Sequence, residues 1–186
     1  ARDPWSGWMH YDAGLLVLAH VSKFAKTGWE NEDNTAGIWR AIPEASKSTA
    51  DGTNPVIGNN GDADYMTLAA PSKDQFSTLI VNDSEYAQKY TIKVQNMKLK
   101  ENQTLGIWET RAADEGAFNE NYMKYRGEST ADAQGTYTIE VKPYSVVTVT
   151  TLDVSEDEEH TQALPVEGER TVLDTDETGA VQDTSS

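Results

Sequence analysis

Cysteine is absent from all 186 residues, so neither a disulfide framework nor thiol chemistry is available. That composition fits a bacterial exported protein and a cytosolic one equally well. Basic residues are scarce: 15 Lys and Arg stand against 31 Asp and Glu, for a net charge of −16. Such an excess removes the basic face that nucleic acid or an anionic membrane surface requires. No apolar run approaches the ~20 residues needed to span a bilayer, and no signal peptide opens the chain. The 3 His residues are scattered and make no metal-ligand cluster, and no cofactor motif is present.

The acids crowd one end. From Asp153 onward 11 Asp and Glu face Arg170 alone, which places −10 of the −16 in the tail. Residues 154–186 therefore read as an extended, solvated acidic linker, with short apolar stretches such as Ala163 to Val166 but no second core.

The body has what the tail lacks, including 5 Trp and 8 Tyr to build a core. Residues 12–25 read as a helix, with Asp12 as cap and Gly28 as stop. Leu15, Leu16, Val17 and Leu18 run consecutively and cover most of its circumference, the pattern of a helix packed between layers. Short strands follow. Gly37 to Ile42 closes at Pro43, and residues 46–64 form a long polar loop. Tyr65 to Ala70 and Phe76 to Val81 make a hairpin around Pro71. Tyr90, Ile92 and Val94 alternate with polar residues, as do Tyr137, Ile139 and Val141. Leu105 to Thr110, Tyr122 to Arg126 and Val146 to Leu152 complete a set of seven or eight strands, which predicts an antiparallel β-sandwich.

Asp3-Pro4-Trp5-Ser6-Gly7, then Ala19-His20 with Phe24, then Gly28-Trp29 give the chain its most specific pattern. These elements resemble the end of the catalytic barrel in glycoside hydrolase family 59, the galactocerebrosidase-like enzymes. The resemblance continues more weakly through the strands and sharpens at Pro143 to Leu152. Family 30 enzymes, including bacterial β-1,6-galactanases, share the barrel-plus-sandwich plan and are the nearest competitor.

The resemblance implies a mostly β chain with one helix left over from a (β/α)8 barrel. Residues 1–28 would be the last loop and helix of a truncated barrel, 29–153 the sandwich, and 154–186 a linker toward a lectin-like domain. It implies a retaining β-galactoside hydrolase as parent, with a glycan or glycolipid substrate. The lack of cysteine and the long acidic linker, a matter of composition, favour an extracellular or cell-surface bacterial setting over a lysosomal one. Retaining hydrolysis uses two carboxylates about 5 Å apart, and the resemblance places both upstream of Ala1.

Trp5, Trp8, His10 and Tyr11 are the candidate substrate-binding residues, because aromatic rings at the mouth of a barrel wall sugar subsites, and for Trp5 and Trp8 packing between barrel and sandwich is the alternative reading. The family's substrate-facing tyrosine would align with Met9, a departure for which His10 or Tyr11 could substitute. Glu109, a carboxylate beside Trp108, reads as a partner of Arg111 or a solvent-facing group rather than a catalyst. His20, mid-helix among apolar residues, reads as structural, since nothing near it in sequence offers a nucleophile to activate. Asp62 with Asp64, and Asp174 with Asp176, read as ordinary turns rather than calcium loops. Asn82-Asp-Ser84 and Asn102-Gln-Thr104 match glycosylation triplets of a kind that arises by chance. A stand-alone carbohydrate-binding sandwich would draw its platform from Trp39, Trp108, Tyr122 and Tyr125, and a structural Ig-like spacer would suit the tail but not the helix.

Overall fold

The computed structural model describes residues 13–25, 39–48, 61–153, 173–175 and 181–183, the side chains of 13–16 and of the last two stretches excepted. Residues up to Glu156 and residues from Asp157 form two separate units.

The first unit begins with helix α1 (Ala13–Ser22), continued by a turn through Ala25. Eight strands follow among the described residues: β1 (Arg40–Ala41), β2 (Asp64–Ala69), β3 (Phe76–Asn82), β4 (Gln88–Lys93), β5 (Leu105–Arg111), β6 (Lys124–Ser129), β7 (Thr136–Val141) and β8 (Ser145–Thr150). They make a six-stranded antiparallel sheet in the order β1-β2-β3-β8-β5-β6 and a two-stranded sheet of β4 and β7. The antiparallel sandwich read from strand spacing is thus the observed fold.

Alternation explains how the sheets face each other. In β7, Tyr137, Ile139 and Val141 are buried while Thr138 and Glu140 are exposed. The buried set meets Ile80, Leu105, Val147 and Val149, each no more than 1% exposed. Burial of such aliphatic side chains contributes ~1.5–3 kcal/mol apiece. The large sheet is covered on its second face too. There Trp108 packs with Phe24 and Met123, so α1 lies on the side opposite the small sheet.

The hairpin of β2 and β3 forms as expected, with Ala70 N–H bonded to Gln75 O and Lys73 in a left-handed conformation at the turn. Several boundaries differ from the sequence reading: α1 ends at Ser22, β4 at Lys93 and β8 at Thr150. Of the described part of the first predicted strand, Arg40–Ala41 is strand while Trp39 and Ile42 are not, and Pro43–Ala45 turns into a short 3-10 helix beginning on the proline. The strand predicted at Tyr122 starts instead at Lys124. Tyr122 N–H bonds Asn119 O within the loop, and Met123 N–H bonds the Thr110 hydroxyl, so neither is available to the ladder.

The second unit carries a short antiparallel pair, β9 (Leu173–Thr175) with β10 (Val181–Asp183). This one short ladder lies within the stretch read as an extended acidic tail. Acidity disfavours a buried core, but a backbone ladder needs none, and Leu173, Thr175 and Val181 are good strand formers.

Candidate functional site

Trp5, Trp8, His10 and Tyr11 lie outside the described residues. Three other places carry chemistry: the joint between α1 and the large sheet, an ion-paired cluster at the end of β5, and the loops at that same end of the sandwich.

At the joint the helix turns Ala19, His20 and Phe24 onto the sheet. Phe24 is fully buried, with its ring 5.4 Å from Trp108, and Ala19 packs beside it. Lys23 Nζ sits 4.2 Å from the Trp108 ring centre, a cation–π contact. Leu18, by contrast, is 66% exposed on the helix. The sheet residues below are an unusual set of hydroxyls, Thr110, Thr148, Thr150 and Ser77, all buried. Ser77 donates to Phe24 O at 2.6 Å, tying down the end of the helical segment.

His20 is 1% exposed, and both ring nitrogens are engaged: Nδ1 with Thr148 Oγ1 at 2.9 Å and Nε2 with Thr110 Oγ1 at 2.7 Å. The tautomer follows from proton counting. Thr148 donates its single hydroxyl proton to His20 O at 3.2 Å, so Nδ1 must donate to Thr148. Nε2 is then the acceptor, and Thr110 donates to it while accepting Met123 N–H at 2.9 Å. The neutral imidazole satisfies every partner. Burial lowers its pKa from the usual 6.5 to about 4. A histidine so held pins helix to sheet, with both ring nitrogens taken by threonine hydroxyls. The structural role read from its apolar surroundings is the one observed.

Glu109 is 4% exposed and bonds Arg111 Nε and Arg126 Nε, each at 3.0 Å. Arg111 reaches on to both oxygens of Asp114, at 2.6 and 2.5 Å, and Arg126 bonds Asn121 Oδ1. The Arg111 guanidinium holds the Asp114 carboxyl down at about 2. Two guanidinium groups thus neutralise a buried glutamate and fasten the β5–β6 loop. Of the two readings the sequence left open for Glu109, pairing with Arg111 or facing water, the pairing is the one observed.

The β3–β4 loop and the β7–β8 turn meet at one buried residue. Asn82, 1% exposed, donates through Nδ2 to Tyr86 O, Val141 O and Lys142 O at 2.8, 3.2 and 2.9 Å. Its Oδ1 accepts from the Ser84 amide and hydroxyl, and Tyr144 N–H bonds Ser84 O at 3.2 Å. The two loops leave Tyr86 and Tyr144 exposed, at 70% and 64%. Sequence reasoning passed over both. Their signal was an aromatic residue set singly among polar and turn residues, outside any alternating run.

The proposed platform residues Trp39 and Trp108 are 6% and 0% exposed. Both are core residues: Trp39 packs with Ala25 and Ala70, and Trp108 with Phe24 and Met123. Asp62 and Asp64 acquire no third metal-ligating side chain among the described residues, and Asp174 sits in the β9–β10 ladder opposite Gln182. A cleft of about 560 Å³ opens where the two-stranded sheet fails to cover β2 and β3. Phe76, Ile92 and Met97 are among its apolar walls, and Arg40, Lys73 and Lys93 stand among its lining. Among the described residues no helix is long and apolar enough to cross a membrane.

No protein-family model and no curated protein matches the sequence. Solved structures similar to the chain include the family 30 subfamily 8 xylanase Xyn30A from Clostridium acetobutylicum, at 13% identity and a TM-score of 0.47, over 80% of this chain and 29% of that one. A family 30 endoxylanase from Clostridium papyrosolvens C71 is similar over 50% of this chain and 20% of its own, at 11% identity and a TM-score of 0.37. A family 44 xyloglucanase from Paenibacillus polymyxa is similar over 47% and 16%, at 13% identity and a TM-score of 0.38. All three are described as glycoside hydrolases, and the chain spans less than a third of each. None of these TM-scores is high enough to carry an assignment.

Proposed function

We propose that the chain is the accessory β-sandwich of a retaining β-galactoside hydrolase of the galactosylceramidase-like kind, with α1 as the joint to a catalytic barrel. One observation carries the reading. Ala19, His20 and Phe24, the residues of the resembling helix motif, are the ones through which α1 meets the sheet. The motif therefore has a physical meaning as a docking seam. Leu18 stays exposed, as a helix between two layers requires.

On this reading the sandwich buttresses the barrel, and the chemistry belongs to two carboxylates outside this chain. Glu109 is not one of them, since it is enclosed by arginines. Trp5, Trp8, His10 and Tyr11 line the sugar subsite at the barrel mouth, and the parent acts on glycan or glycolipid at or beyond the cell surface. A β-1,6-galactanase of the family 30 type fits the same joint.

The test is to express the longer protein with and without residues 29–153, and with Phe24→Ala, and to follow hydrolysis of an aryl β-galactoside. Activity and unfolding temperature should fall together in both altered proteins. Unchanged activity and stability without the sandwich would refute the buttress. A parent that cleaves β-xylosides and leaves β-galactosides intact would refute the substrate class while leaving the joint in place.

A further inference from the structure

Three of the four large hydrophobic side chains exposed among the described residues, Tyr86, Phe118 and Tyr144, lie at one end of the sandwich. The loops that carry them leave the adjacent strands β3, β8 and β5, where Asn82 pairs with Ser145 and Ser145 with Arg111. Adjacent strands are ~4.8 Å apart, so this row of loops covers about 10 Å along the sheet end. Phe118 is committed edge-on to Tyr122, with ring centres 6.1 Å apart. Tyr86 and Tyr144 form no ring pair with each other or with another described aromatic residue.

These two tyrosines are held stiffly. The buried Asn82 amide joins the carbonyls of Tyr86 and Lys142, and Ser145 Oγ adds a second bond to Lys142 O at 2.7 Å. Tyr144 adopts φ +47, a left-handed conformation that disfavours a bulky side chain. A ring kept in solvent on such a backbone is not there for packing.

We propose that this end of the sandwich is a glycan-binding platform, on which Tyr86 and Tyr144 stack against the apolar faces of pyranose units. A flat amphipathic ring with few rotatable bonds loses little entropy on stacking, and its hydroxyl stays available to the sugar. The surroundings favour a sugar over a protein partner. Each ring follows a charged or polar neighbour in the chain, exposed Glu85 after Ser84 for Tyr86 and exposed Lys142 before Pro143 for Tyr144, so the rings stand among polar groups that can bond sugar hydroxyls, whereas a protein interface favours contiguous apolar surface. The platform is independent of the cleft and of the joint. Only the choice of a β-galactoside as its first ligand rests on the function proposed above.

The experiment uses the full 186-residue chain. Binding of β-1,3- and β-1,6-linked galacto-oligosaccharides, xylo-oligosaccharides and manno-oligosaccharides is measured by calorimetry and by amide chemical shifts. Tyr86→Ala and Tyr144→Gly are compared with Leu18→Ser, which removes an exposed apolar side chain elsewhere. Glycine suits the left-handed backbone, so Tyr144→Gly tests the ring without endangering the fold. Each tyrosine variant should bind about ten-fold more weakly, with shifts confined to residues 82–88 and 141–146, and Leu18→Ser should bind like the parent sequence. Tyrosine-dependent binding of xylo- or manno-oligosaccharides alone would uphold the platform and refute the galactoside reading. No binding of any of these glycans, or equal binding by the variants, would overturn the proposal. So would self-association that depends on Tyr86 and Tyr144 without glycan binding.

Discussion

Acid should loosen the joint between α1 and the sheet through His20. An unfolded histidine takes up its proton near pH 6.5, whereas burial holds the folded His20 at about 4. Between those values the unfolded chain binds one more proton than the folded chain, so stability falls as pH drops through the window. The contribution is intact above about pH 6.5 and lost in full near pH 4. A separation of about 2.5 units at 1.36 kcal/mol each gives a loss of ~3 kcal/mol, with a steepest slope of ~1.4 kcal/mol per pH unit. Against a total stability of ~5–15 kcal/mol that is a large share. The many carboxylates of the chain titrate in part of the same range, so a comparison is needed. His20→Gln keeps a donor and an acceptor at the site but does not titrate. Urea unfolding of both proteins, followed by tryptophan fluorescence at pH 7, 6, 5 and 4, isolates the histidine as the pH dependence of their difference. The parent sequence should lose its advantage progressively below pH 6.5. A difference constant within ~0.5 kcal/mol from pH 7 to 4, or an NMR titration placing His20 at or above 6.5, would refute the reasoning.

The joint makes further predictions. Phe24→Ala should cost ~3–5 kcal/mol in urea unfolding, because a fully buried ring against Trp108 leaves a cavity that sheet and helix cannot close. Thr148→Val keeps the shape but strands His20 Nδ1–H and His20 O, so calorimetric unfolding should show ~1–3 kcal/mol lost. Glu109→Ala leaves the Arg111 and Arg126 guanidinium groups without their shared carboxylate and should cost ~3 kcal/mol. It should also expose the β5–β6 loop to limited proteolysis, which a solvent-facing glutamate would not do. Tyr144→Gly should leave thermal stability within ~1 kcal/mol of the parent sequence or raise it, because the left-handed backbone strain is relieved.

Alternation and turn chemistry determined the architecture before any coordinates. Tyr137, Ile139 and Val141 against Thr138 and Glu140 could only be a strand with one buried face, and the β2–β3 hairpin followed from its Pro71 turn. The helix was legible from its consecutive apolar residues, and so was the bland role of Glu109 beside Arg111. These are local properties, fixed by side chains a few residues apart. What the helix touches was not legible. His20 lies 90 and 128 residues from the two threonines that fix its tautomer, and no local pattern reports such a pairing. The same holds for Arg126, which joins Arg111 on Glu109 from across a strand pair, and for Asn82, which reaches the β7–β8 turn from β3. Sequence spacing cannot say which loops share an end of a sandwich, because that depends on strand order. Only the tertiary structure brought the loops of Tyr86 and Tyr144 to one end of the sandwich. Sequence periodicity chose the faces, and the strand order of the sheet chose the neighbours.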